Sequence, residues 1–172
     1  MANTSRPQGF RPFGRLLSVR PYRSAGAIYP GDPVKADAGA ANSTDLQMRV
    51  AVAAASDALL GIAMSYASGA GKEVLVADDP SQLFIAESDD ATIDQNTDLG
   101  LNYDFVAASP DTTYKMSRAV IDASTQATTA TLPFKVLQVL RAAKDSDIGS
   151  KCKVVCKINN HQLGSHTGTA GV

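Results

Sequence analysis

Short apolar runs, each ended within a few residues by glycine, proline, aspartate or asparagine, recur along the whole chain. That punctuation favours strands over helices. Leu46, Met48, Val50 and Val52 alternate with Gln47, Arg49, Ala51 and Ala53, and Cys152, Val154, Cys156 and Ile158 alternate with Lys151, Lys153 and Lys157. A period of two is that of a half-buried strand. Further strands are expected at 34–36, 59–66 with Gly61 as a bulge, 74–76, 83–85, 101–107, 114–121, 134–140 and 151–159. Asp78-Asp79-Pro80-Ser81 predicts a hairpin-like reversal between 74–76 and 83–85. Pro30-Gly31-Asp32-Pro33, Ser56-Asp57, Ser68-Gly69-Ala70-Gly71 and Asp145–Gly149 read as turns or loops, and so do the small polar stretches 37–45 and 122–131. Thr92 with Gln95 forms a capping box and predicts one helical turn at 93–98. A helix is the alternative at 50–60 and at 134–141, where periodicity alone does not separate the two. No internal repeat is visible. The pattern predicts an all-β fold, a small barrel or a jelly-roll-like sandwich, with an extended N-terminal arm and little helix.

The arm is the other distinctive feature. Residues 1–31 hold five arginines (Arg6, Arg11, Arg15, Arg20 and Arg23) and no acidic residue, in a stretch broken by Pro7, Gly9, Pro12, Gly14, Pro21 and Gly26. The remainder of the chain is therefore acidic. Such a cationic segment has little apolar surface to bury against itself and reaches for something outside it. The expected organisation is an arm over 1–24 and a single β-rich domain with an irregular tail over 25–172. On the arm, Arg6, Arg11, Arg15, Arg20 and Arg23 are candidate partners for carboxylates, with Phe10 and Phe13 (and Leu16 and Leu17) as apolar anchors.

Composition excludes several classes. A chain of 172 residues can bury about 70% of its unfolded surface without staples. No apolar run approaches the ~20 residues of a membrane span, and the N-terminus has no continuous apolar h-region, so the expected site of synthesis is a reducing cytoplasm. The two cysteines lie four apart on one strand, ~13 Å along it, too far for a disulfide. They read as small core residues and not as a metal pair, because no second ligand pair stands at zinc spacing. His161 and His166 sit in a Gly- and Thr-rich tail as exposed or capping residues. Asp78-Asp79 and Asp89-Asp90 lack calcium-loop spacing and read as turn caps. Gly69-Ala70-Gly71-Lys72 is followed by Glu73, not by Ser or Thr, and is no phosphate loop. No catalytic residue, metal or cofactor is expected.

Six segments together resemble the cement, or head-decoration, proteins of tailed phages. They are Met1-Ala2-Asn3-Thr4, Gly31-Asp32-Pro33-Val34, Leu60-Gly61-Ile62-Ala63, Val74-Leu75-Val76-Ala77-Asp78-Asp79-Pro80, Leu99-Gly100-Leu101-Asn102-Tyr103-Asp104-Phe105 and Lys157-Ile158-Asn159-Asn160-His161-Gln162. The resemblance implies a β-rich, non-enzymatic structural protein, often trimeric, on the outer surface of the virion capsid. There it would bind the major capsid protein and stabilise contacts between capsomers. The alternative is a nucleic-acid-binding protein using the cationic arm. The acidic body and the three aromatic residues of the arm rank it second.

Overall fold

A computed structural model describes residues 3, 5–37, 47–141, 147–164 and 168–171. Most of the 37–45 loop, Leu46, His166 and part of the turn expected at 145–149 lie outside the described residues. The described residues form thirteen strands and no helix, as the turn-punctuated sequence predicts. They are β1 (Arg11–Phe13), β2 (Val19–Ser24), β3 (Ala27–Ile28), β4 (Pro33–Ala36), β5 (Arg49–Val52), β6 (Gly61–Ala63), β7 (Ala67–Ser68), β8 (Glu73–Ala77), β9 (Leu83–Glu87), β10 (Asn102–Val106), β11 (Val120–Ala127), β12 (Phe134–Leu140) and β13 (Lys153–Ile158). Strands β2-β5-β4-β6-β8 close into a barrel, β1-β9-β13-β12-β10-β11 form a six-stranded sheet, and β3 pairs with β7. The positions open to a helix, 50–60 and 134–141, hold strands β5 and β12.

Several expectations change in detail. The turn after Asp78 makes no hairpin: β8 pairs with β2 and β6, whereas β9 pairs with β1 and β13, so the turn carries the chain from barrel to sheet. At 93–98 a single turn closes through Asp98 N–H to the Asp94 carbonyl (3.0 Å), and no helix follows. Residues 112–115 form a turn closed by the Asp111–Met116 bridge, 117–119 are irregular, and β11 runs into the small polar stretch expected as loop. Ile121 and Ala123 point inward there while Asp122 and Ser124 satisfy each other outside. Gly61 is not a bulge. A Cβ on it would stand 2.3 Å from the Ala77 carbonyl oxygen, so only glycine lets β6 lie this close to β8.

The barrel and the sheet repeat one design. In the barrel, β2 pairs antiparallel with β8 and parallel with β5, and the circuit closes through β4 and β6, all antiparallel. In the sheet, β9, β10, β11, β12 and β13 take the places of β2, β4, β5, β6 and β8. The circuit is completed by a parallel bridge from Ser88 to Ile121. The registers match as well. Arg23 opposite Glu73 corresponds to Glu87 opposite Lys153, and Ile62 opposite Ala77 to Lys135 opposite Lys157. Val34 opposite Gly61 corresponds to Tyr103 opposite Phe134, and Lys35 opposite Ala51 to Asp104 opposite Asp122. These four correspondences require that Ser24 opposite Val50 recur as Ser88 opposite Ile121, which is the bridge observed.

Local bonding at the closing corner repeats too. Ser24 N–H donates to the Lys72 carbonyl (2.8 Å) and Lys72 N–H to Ser24 Oγ (3.1 Å); Ser88 N–H donates to the Cys152 carbonyl (2.8 Å) and Cys152 N–H to Ser88 Oγ (3.1 Å). Both serines are buried. Replacing Ser88 by alanine orphans the Cys152 amide in a dry site and should cost about 1–3 kcal/mol. Ser24→Ala should cost less, because exposed Lys72 can turn its amide to water. Denaturant midpoints of the two variants check this order.

Two apolar clusters follow from the two circuits. Tyr22, Ile28, Val34, Val50, Leu60, Ala63, Ala67, Val74 and Val76 fill the barrel. The larger cluster, with Phe84, Tyr103, Phe105, Ile121, Phe134, Val154 and Cys156, covers the inner face of the sheet and reaches Leu59, Ile62 and Ala77 of the barrel segment. Both cysteines are buried and free, as expected of small core residues. Burial pushes both thiols above their ordinary pKa.

Candidate binding surface

The residues expected to form a free arm are built into the body. Strand β1 adds to the edge of β9, with Arg11 opposite Ile85 and Phe13 opposite Leu83, and β2 is a stave of the closed barrel. The boundary expected at residue 24 therefore falls at the end of a barrel strand. Phe10, expected as an anchor for a partner, is 1% exposed. It stacks on Phe134 at 4.3 Å between ring centroids and meets Phe105 edge-on at 6.4 Å. Its neighbour Gly9 has φ +66° and lies so close to Gly31 that a Cβ would stand 2.6 Å from the Gly31 carbonyl oxygen. Phe10 N–H donates to that same carbonyl (3.0 Å). The arm folds because strand pairing and one large aromatic supply what its own composition lacks.

The cations of the arm do not stay together. Arg20 donates Nε–H to Asp78 (2.5 Å), and Arg23 donates to the Gly71 carbonyl (3.4 Å) on the barrel. The buried Asp78 carboxylate also accepts Ser18 Oγ–H (2.9 Å) and the Tyr22 hydroxyl. Asp78 is thus a structural centre and not the turn cap expected, a role that Asp79 does fill toward the Ser81 amide. Arg15 is exposed in the loop between β1 and β2, beside exposed Leu16 and Leu17.

Arg11 and Phe13 go elsewhere. Residues directly opposite in neighbouring strands share a face. The strand registers therefore place Phe13, Leu83, Lys157 and Lys135 in one row of the sheet's outer face. Arg11, Ile85 and Val155 form the next row, and Glu87 and Lys153 the next. Four cations surround an apolar strip. The acid among them, Glu87, is 6% exposed and already accepts Ser5 Oγ–H (2.8 Å) and Arg6 N–H (2.9 Å). Burial and the adjacent Lys157 charge both push the Lys135 ammonium below its ordinary pKa. Lys135 Nζ is already met by the Ala170 carbonyl (2.7 Å), and the face as a whole, with four cations to one acid, is complementary to a negative surface.

Sequence reasoning found Arg11 and Phe13 but missed Lys135, Lys153 and Lys157 as members of the same surface. Alternation does put Lys153 and Lys157 on the outer side of their strand. Only the tertiary pairing of β1 and β13 with β9 brings the arm to them.

Other sequence candidates take structural roles. His161 is not exposed: it is 2% accessible, and its Nδ1 accepts the Leu163 amide (3.0 Å), so the capping half of the expectation holds. Asp89 caps the Ala91 amide (3.0 Å), and Asp90 pairs with Lys151 (2.8 Å). Among the described residues no group of three or more His, Cys, Asp or Glu side chains could hold a metal ion, and no helix is long and apolar enough to cross a membrane. Comparison with known proteins finds no matching family model, no matching curated protein and no matching solved structure.

Proposed function

We propose that this chain is a structural cement protein that binds the outer surface of a tailed-phage capsid, contacts major capsid protein subunits and stabilises the joints between capsomers. The observation that carries the reading is the outer face of β1-β9-β13-β12, where Arg11, Lys135, Lys153 and Lys157 frame the apolar strip of Phe13, Leu83 and Ile85. A face of this kind suits a protein surface that offers carboxylates around an apolar patch, because cations set orientation while apolar burial holds. The ordered resemblance of six segments supplies the particular partner. In a trimer, three such faces would act together, so each contact could be weak. Arg11, Phe13 and the three lysines carry the contact in this reading. Phe10, Arg20 and Arg23 support the fold.

The test is co-sedimentation with undecorated mature shells. Full-length protein should bind saturably. Arg11→Glu combined with Lys157→Glu should weaken binding by about tenfold or more, since reversal sets like charges across the interface. Binding unchanged by the double reversal would sink this face. The nucleic-acid alternative predicts instead a steep salt dependence, a log–log slope of about −0.9 per phosphate neutralised, on duplex DNA without any shell.

A further inference from the structure

A cleft of about 660 Å³ opens beside the docking face, between the segment Ser5–Gln8 and the turn that runs from Asp111 to Arg118. Its size lies in the range of sites that enclose small ligands or a few peptide residues, ~300–1,000 Å³. Both walls are fixed before anything enters. On one side the Glu87 carboxylate holds Ser5 Oγ and the Arg6 amide, which pins the backbone while the Arg6 guanidinium has no partner among the described residues. On the other, Asp111 and Met116 exchange backbone hydrogen bonds (2.8 and 3.1 Å), and Ser117 N–H ties the turn to the Pro30 carbonyl (3.0 Å). Asp111 also caps the Thr113 and Tyr114 amides (3.0 Å each) and pairs with Arg118 (2.7 Å). This preorganised turn holds Tyr114 out at 76% exposure.

The chemistry of the lining is specific. Tyrosine and arginine are enriched among the residues that carry binding energy at interfaces, and methionine is enriched at interfaces relative to other surface. Asp111 neutralises Arg118, so Arg6 sets the sign of the cleft. Arg6 and Gln8 also border a shallow depression shared with Arg11, Lys153 and the buried Glu87, so the cleft adjoins the docking face and three cations stand around one acid there. One aromatic platform and one unpaired guanidinium, with the Asp111 carboxylate alongside, do not suit a run of stacked bases on phosphates. They suit an extended polypeptide with carboxylates spaced about an apolar side chain.

We propose that this cleft seats an acidic, extended peptide segment of the protein that the docking face contacts, with Arg6 pairing to a carboxylate and Tyr114 and Met116 packing on the apolar side chain beside it. The inference rests on the docking reading for its partner, but its test does not need shells. The probe is the tetrapeptide acetyl-Glu-Phe-Glu-Glu-amide titrated into the full-length ¹⁵N-labelled chain, with the all-lysine analogue and an eight-residue oligothymidylate as comparators. Saturable shifts at Gln8, Tyr114 and Met116 are expected. Arg6→Glu and Tyr114→Ala should each weaken binding by about tenfold, and Lys72→Glu, in the exposed turn before β8, should leave it unchanged. Both cleft positions are exposed, and unshifted thermal midpoints verify that the variants fold. No saturable shift, equal binding by Arg6→Glu, or tighter binding of the oligonucleotide would overturn the proposal. Peptide binding that depends on Arg6, in a protein that ignores shells, would keep the cleft and defeat the cement reading. Shell binding untouched by Arg6→Glu and Tyr114→Ala would remove the cleft from the shell contact.

Discussion

Deleting residues 1–24 should unfold the protein. The deletion removes β2, which pairs along its length with β8 and at its end with β5, and so opens a closed barrel and strands two unpaired edges. It also removes Tyr22 from one apolar cluster and Phe10 from the other. The effect can be isolated at one residue. Phe10→Ala empties the centre of the Phe10-Phe105-Phe134 group and should cost about 3–5 kcal/mol. Domains of this kind have only about 5–15 kcal/mol to lose. Phe13→Ala, at 38% exposure on the sheet edge, should cost less than ~1 kcal/mol. Guanidinium denaturation of the two variants decides the matter: similar midpoints for both would show that Phe10 is not packed as described. The consequence for function is practical. Loss of shell binding on truncation would report a lost fold, so the docking face must be tested with substitutions at exposed side chains.

The sequence announced the strands because period-two alternation and turn residues are local properties. It placed β4, β8, β9, β10, β12 and β13 near their observed positions. It missed what depends on non-local pairing. The arm looked unable to fold because its own segment lacks apolar mass, yet Phe10 borrows Phe105 and Phe134 from β10 and β12, far away in sequence. The repeated design was invisible because register, and not residue identity, is what recurs: Val34 answers to Tyr103 and Gly61 to Phe134. Mostly aliphatic side chains fill the barrel, whereas phenylalanines help to fill the other circuit, and the connecting loops differ in length. Gly61 signalled itself as unusual, but a bulge and a close approach give the same letter in a sequence. For the candidate surface, the cations of β13 were legible as an outward face, whereas their meeting with Arg11 was not, since it requires β9 to stand between them.

Asp78 should govern the acid limb of stability. Its side chain is fully buried just after β8, where the chain leaves the barrel for the sheet, and it gathers Ser18, Arg20 and Tyr22 from the N-terminal segment. Burial alone would push the carboxyl pKa up, but the hydrogen bonds from Tyr22, Arg20 and Ser18 outweigh it and hold the group below its ordinary value. A folded pKa below the unfolded one of about 3.9 means that the stabilisation is fully present above about pH 4 and is lost as pH falls through the folded value. Asp78→Ala leaves the Tyr22 hydroxyl buried without its acceptor. The cost at neutral pH should fall toward the lower end of ~3–5 kcal/mol, because the Arg20 side chain, 56% exposed, can return to water. Arg20→Met takes a charged donor from this buried carboxylate, which keeps Tyr22 and Ser18, and should cost about 1–3 kcal/mol. Asp78→Asn keeps the shape and removes the proton-binding group, so its stability should fall less steeply than that of the natural chain below pH 4. Parallel acid limbs for the two proteins would mean that another carboxylate controls acid unfolding, and that the N-terminal segment is held by β pairing and Phe10 without a charged latch.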